Sequence, residues 1–150
     1  MKKVLICALV MLSSLCFVGC SNKNIQTLKC SFSEKDSGFG METSMNITMK
    51  YDKSKKRVID GNTVIKMTMP EEYIKLYKEL DDSSICDSFE YDYFSKGCKS
   101  SIKGNTIEVK AELNVEELYE NATEEDKKET LEDIKKELEE SQDGMTCKIK

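Results

Sequence analysis

The chain has 150 residues, with 23 Lys and Arg against 28 Asp and Glu, seven Cys, one Pro, and neither His nor Trp. That length suits one domain. The absence of histidine excludes a Ser-His-Asp triad, a Cys-His pair, an HExxH zinc site and an imidazole base at neutral pH, and the net charge of -5 argues against nucleic acid as a partner.

The first element is an apolar run from Val4 to Val18 behind Lys2 and Lys3. Its fifteen or so residues fall short of the about 20 that cross a bilayer, and a positive start before a short apolar core is the layout of an export signal. The run closes in Phe17-Val18-Gly19-Cys20 and turns polar at Ser21-Asn22-Lys23-Asn24. These residues resemble the lipobox of bacterial lipoproteins, with Gly19 as the small residue before the cut, Cys20 at the lipidated position, and Phe17 where an aliphatic residue is usual. The resemblance implies a signal peptide over 1–19, a diacylglycerol thioether on Cys20, and anchoring on the extracytoplasmic face of the cell membrane. Two acyl chains give stable anchoring where one is marginal. Residues 20–26 then comprise the lipidated cysteine and a short tether, and 27–150 a single domain.

Cleavage after residue 19 removes Lys2 and Lys3 and leaves 21 basic against 28 acidic groups, a net of -7. The charge is blocked along the chain: residues 20–70 carry +4 and 96–115 carry +2, whereas 71–95 carry -6 and 116–140 carry -8. The strand-like segments are basic and the helix-like ones acidic.

Leu28, Cys30 and Phe32 alternate with polar neighbours, the period-2 pattern of a half-buried strand, and Met45, Ile47, Met49 and Tyr51 repeat it. A polar turn, Asp52 to Lys56, leads to Arg57-Val58-Ile59. Asp60-Gly61-Asn62 reads as a turn or bulge before a third strand, in which Ile65, Met67 and Met69 share a face. Pro70-Glu71-Glu72 opens a helix with Tyr73, Ile74, Tyr77 and Leu80 on its apolar stripe. After Asp81-Asp82-Ser83-Ser84, the residues Ile85, Cys86, Phe89, Tyr93 and Phe94 predict a second short helix. Cys98 to Lys103, Gly104-Asn105 and Thr106 to Leu113 form a hairpin, and residues 114–122 a short helical turn. Thr123-Glu124-Glu125-Asp126 resembles a capping box and predicts a helix start there, with Leu131, Ile134 and Leu138 on its stripe. Its surface pairs Glu124 with Lys128, Glu132 with Lys136 and Lys135 with Glu139. Gly144 ends it, and Met145, Cys147 and Ile149 alternate in a last strand. The expected fold is α+β, an antiparallel β-sheet of about five to six strands with two or three helices packed on one face.

Four cysteines follow Cys20, and an even number in an exported chain suggests two disulfides. Cys30 and Cys147 share the inward faces of the first and last strands, and Cys86 and Cys98 flank the second helix, so the favoured pairs are Cys30 with Cys147 and Cys86 with Cys98. There is no Cys-x-x-Cys to suggest redox chemistry. Glu79, Asp81, Asp82, Asp87, Glu90 and Asp92 crowd one stretch without EF-hand spacing, which reads as a solvated surface and not as a metal site. Lys53, Lys55, Lys56 and Arg57 make a compact basic turn suited to an anionic surface, either lipid headgroups or an envelope polymer.

Ile47-Thr48 to Tyr51-Asp52-Lys53, then Val58 and the alternating strand after it, together with the closing Gly144-Met145-Thr146-Cys147-Lys148-Ile149-Lys150, resemble the small YehR-like bacterial lipoproteins. That resemblance implies a compact α+β lipoprotein and carries over no catalytic residue. The expectation is therefore a lipid-anchored extracytoplasmic domain of the cell envelope that binds or interacts and does not catalyse, with no cofactor. Its partners are the membrane, through the anchor, and an envelope polymer or protein, with no nucleic acid. The competing class is an envelope enzyme or thiol-redox protein acting through carboxylates or cysteines.

Overall fold

In the computed structural model of the protein, residues 23–89 and 94–150 are described; the expected signal and Cys20 lie outside them, as do Glu90, Asp92 and Tyr93. The alternating segments form strands, as their periodicity predicts. β1 (Ile25–Asp36), β2 (Met41–Asp52) and β3 (Arg57–Thr68) make an antiparallel meander. Next come α1 (Glu71–Tyr77), α2 (Asp82–Ser88), and a hairpin of β4 (Lys96–Lys103) and β5 (Thr106–Glu112). The chain ends with α3 (Val115–Asn121), a 3-10 turn (Asp126–Lys128), α4 (Leu131–Ser141) and β6 (Thr146–Ile149). The strand order is β4-β5-β3-β2-β1-β6 with every neighbouring pair antiparallel, so the fold is α+β with a six-stranded sheet.

One face of that sheet is apolar and the other polar, because strand side chains alternate. Leu28, Ile47, Val58 and Ile107 lie inward and are almost wholly buried. The helices cover this inner face in two groups. Ile74 of α1 and Ile85 of α2 pack with Ile107 and Val109 of β5. Leu131 of α4 joins Leu28 and Ile47, with Leu118 of α3 and Ile134 and Leu138 of α4 packed against them. Each such side chain stabilises the fold by about 1.5–3 kcal/mol on leaving water. Lys29, Asn46, Asn62, Lys110 and Lys148 point the other way and are exposed.

Three local details sharpen the sequence reading. Asp60-Gly61-Asn62 lies inside β3 as part of a bulge: the register steps from Lys50 opposite Asp60 to Tyr51 opposite Val58, leaving Ile59 as the extra residue. Gly61 is pressed inward there, where an added Cβ would come 3.1 Å from Leu113 Cβ and 3.2 Å from the Thr48 carbonyl oxygen.

Thr123 and Asp126 do cap each other, with the Thr123 N–H donating to Asp126 Oδ2 at 2.7 Å and the Asp126 N–H to Thr123 Oγ1 at 3.2 Å. They start only the 3-10 turn. The helix itself begins at a second capping box, Thr130 with Asp133. Asp126 to Thr130 contains no apolar side chain to bury, whereas Leu131, Ile134 and Leu138 follow Thr130 in phase, and packing of such a stripe supplies most of a short helix's stability. The ion pairs here are Lys127 with Glu124 and Lys136 with Glu140, in place of the three expected pairings. Glu139 instead accepts the Cys147 N–H at 2.8 Å and ties α4 to β6. Finally, α4 stops at Ser141, and Gly144, with φ of +82°, serves the turn into β6.

Candidate functional site

α3, the 3-10 turn and α4 enclose, with the inner face of the sheet, a cavity of about 250 Å³. Its floor is Met49, Val58, Phe94 and Leu113, all buried. Leu118, Ile134 and Leu138 form its walls, and the more exposed Asp126, Glu129 and Glu137 stand at its mouth. Among the described residues, no Lys or Arg lines it.

Two tyrosines fix this layer to the sheet. Tyr119 of α3 accepts the Val58 N–H at 2.7 Å, and the Arg57 guanidinium lies 5.3 Å from its ring centroid. The Tyr51 hydroxyl donates to the Glu129 carbonyl oxygen at 3.4 Å. Burial, foremost, pushes both phenols above their ordinary value, so both stay protonated donors or acceptors at neutral pH. Burial also raises the Glu129 carboxyl, and the charges of Glu137, Asp126 and Asp133 push it further the same way. Asp126 moves in the opposite direction, held below its ordinary value by the Thr123 N–H. The mouth is therefore a negative field over an apolar floor. Such a site suits a small apolar body carrying a single cation.

The four basic residues of the β2–β3 turn lie at the end of the sheet where the described chain starts. Ile25 stands opposite Asp52, and the Lys53 N–H donates to the Asn24 carbonyl oxygen at 2.8 Å. Asp52 Oδ1 shapes the turn by accepting from the Ser54 hydroxyl at 2.6 Å and the Ser54 N–H at 2.9 Å, and the hydroxyl is the main reason its carboxyl is held below the ordinary value. The four are all exposed but differently used. Lys53 and Lys56 line an open cleft of about 350 Å³ with Lys128, whose part the sequence pattern does not reveal. Lys55 lies 3.9 Å from Asp52, and Arg57 stacks on Tyr119.

Both expected cysteine pairs are brought together. Cys30 and Cys147 face each other across β1 and β6, and Cys86 of α2 is bonded to Cys98 of β4. The described members of the acidic stretch, in contrast, do not converge. Asp81 caps α2 through the Ser84 N–H at 2.8 Å, and Asp82 accepts the Ser100 hydroxyl at 2.7 Å. Among the described residues, no group of three His, Cys, Asp or Glu side chains could hold a metal ion, and no helix is long and apolar enough to cross a membrane. The cavity itself joins positions from Met49 to Ser141, which no local spacing links. Its sequence signals are the two helical stripes that wall it, Leu118, Tyr119 and Ala122 along α3 and Ile134 and Leu138 along α4.

No family model, curated protein or solved structure matches this chain.

Proposed function

We propose that the chain is a lipid-anchored extracytoplasmic lipoprotein of the YehR-like kind, held through Cys20 on the outer face of the cell membrane, and that it binds a ligand without catalysing a reaction. The observation that carries the binding role is the 250 Å³ cavity with its apolar floor and carboxylate mouth. Its ligand is a small apolar molecule bearing one cation. The anchor is supported by the lipobox residues and by the position of Asn24 beside Lys53. Four residues span at most about 14 Å, so a lipid on Cys20 holds Lys53, Lys56 and Lys128 close to the headgroups, where each charge contributes about 1 kcal/mol of attraction to an anionic surface.

Two measurements test this. In cells, the wild type incorporates labelled palmitate and fractionates with membranes, and Cys20→Ala does neither; retention of both by the variant overturns the anchor. In thermal melts, phenethylammonium raises the melting temperature, 3-phenylpropionate does not, and the shift is lost in Glu129→Gln/Glu137→Gln. No shift with the cation, or an equal shift with the anion, overturns the binding role.

A further inference from the structure

The outer face of the sheet carries a charge pattern that the cavity does not explain. The register sets Lys29 of β1 directly opposite Lys148 of β6, and Lys99 of β4 directly opposite Lys110 of β5. All four are exposed. Like charges in directly opposed positions destabilise a sheet, so two such pairs on one face impose a cost that an anion would relieve.

Of the described acids that point outward from the strands, Asp60 and Glu108 are spent in ion pairs, whereas Glu42 and Glu112 are not, and Glu112 stands beside Asn62 at the β5 end of its row. Glu108 holds Lys110 at 2.8 Å and Lys66 at 3.0 Å, which depresses its carboxyl to about 2, and Asp60 holds Lys50 at 2.7 Å. Among the described residues, no carboxylate oxygen lies within 4.0 Å of the ammonium groups of Lys29, Lys99 or Lys148.

Between the two lysine pairs runs an uncharged lane. Asn62 stands opposite Thr48 in one cross-strand row, and Asn46, Ser31 and Thr146 follow one another in the next. The row with Asn62 and Thr48 ends in Lys29 and Lys148, and the row with Asn46 and Ser31 starts from Lys99 and Lys110. β1 and β5 are three strand spacings apart, about 14 Å, so an extended chain can touch both pairs while lying on the amides and hydroxyls of Asn62, Thr48 and Asn46 and on the half-buried Val64 between Lys110 and Asn46. No outward position in these rows is aromatic, which leaves nucleobases without a stacking platform.

We propose that this open face binds a linear phosphodiester polymer whose repeating unit is uncharged and hydroxylated. The lysine pairs take its phosphates and the lane takes its hydroxyl groups. This surface is separate from the cavity and does not depend on what the cavity holds.

The test uses the full chain in phosphatidylcholine nanodiscs, titrated with poly(glycerol phosphate), neutral polyglycerol and an oligothymidylate of equal phosphate count. The expected result is salt-sensitive binding of poly(glycerol phosphate), no binding of polyglycerol, and at least tenfold weaker binding of the oligothymidylate. Lys29→Gln/Lys148→Gln and Lys99→Gln/Lys110→Gln each weaken binding about tenfold, whereas Lys78→Gln/Lys136→Gln on the helical side changes it less than twofold. Lys29→Gln/Lys148→Gln removes an opposed like-charge pair that holds no ion-pair partner among the described residues, so its melting temperature stays equal or rises and lost binding there is not lost folding. Lys99→Gln/Lys110→Gln also gives up the Glu108 ion pair, and an unchanged far-ultraviolet circular dichroism spectrum at the binding temperature shows that it is folded. Absence of poly(glycerol phosphate) binding, equal loss in the helical-side variant, or equal affinity for the oligothymidylate overturns the proposal. A loss confined to Lys53→Gln/Lys56→Gln overturns it as well, by moving the contact to the turn.

Discussion

Glu129 and Thr63 each bear a local cost that a single substitution removes. The Glu129 carboxyl is raised from its ordinary 4.5 by burial and by three neighbouring acids, so the folded state holds its proton more tightly than the unfolded chain. Its effect on stability is thus most favourable below about pH 4.5 and turns unfavourable as pH rises through the raised value. Glu129→Gln is expected to raise the melting temperature at pH 7 and to leave it unchanged at pH 4; a gain of equal size at both values contradicts the assignment. Thr63 is 2% exposed, and its hydroxyl has no hydrogen-bond partner among the described residues. Thr63→Val, nearly isosteric, is expected to stabilise by about 1 kcal/mol in urea unfolding, since a buried unpaired hydroxyl costs about 1–3 kcal/mol.

Among the elements, α4 depends most on a local signal. Thr130 Oγ1 accepts the Asp133 N–H at 3.3 Å, and Asp133 Oδ2 accepts the Thr130 N–H at 2.9 Å. Thr130→Ala is expected to cost about 1 kcal/mol. Thr123→Ala, which caps only a 3-10 turn, is expected to cost less than half as much, and chemical denaturation of both variants checks the order. The contrast shows what was legible in the sequence. Strand alternation is periodic and local, so the β4–β5 hairpin and its Gly104-Asn105 turn follow from the residues alone. Two similar capping signals seven residues apart cannot be ranked locally, because which one starts a helix depends on whether an apolar stripe follows in phase and finds the sheet. The cavity was less legible still, since its floor and mouth come from strands and helices distant in the chain, and the Ile134 and Leu138 stripe of α4 does not by itself say that it walls a hollow. The Cys30–Cys147 pairing was legible, because inward alternation left both residues on the same side of the sheet, whereas Cys86–Cys98 followed only from their places around the second helix.

At the scale of the molecule, the charge blocks of the sequence become two surfaces. The acidic segments form the helical layer and the cavity mouth, and the lysines of the strands form the open face. The disulfides play unequal parts, Cys30–Cys147 joining two strands of the sheet and Cys86–Cys98 joining a helix to it. In the chain-entropy account, Cys30–Cys147 closes a loop of 117 residues and contributes about 5 kcal/mol, whereas Cys86–Cys98 closes 12 and contributes about 3 kcal/mol. Urea unfolding of Cys30→Ala/Cys147→Ala and Cys86→Ala/Cys98→Ala is expected to reproduce that order.

The Cys30–Cys147 bond also decides how the protein carries load. Thr27 and Lys150 exchange both backbone hydrogen bonds, at 3.0 and 2.9 Å, so the two tails leave the sheet side by side. A pull between Cys20 and Lys150 runs through residues 20–30, across the sulfur bridge, and out through 147–150. The remaining chain is a closed ring outside the line of force. Stretching the oxidised protein is expected to release no more than about 45 Å of contour, against roughly 450 Å after reduction, at about 3.5 Å per residue. Single-molecule pulling with and without a reductant measures the difference. Load along that line therefore peels the start of β1 and the end of β6 together, taking Lys29 and Lys148 with them, while every residue that lines the cavity, from Met49 to Ser141, stays inside the ring.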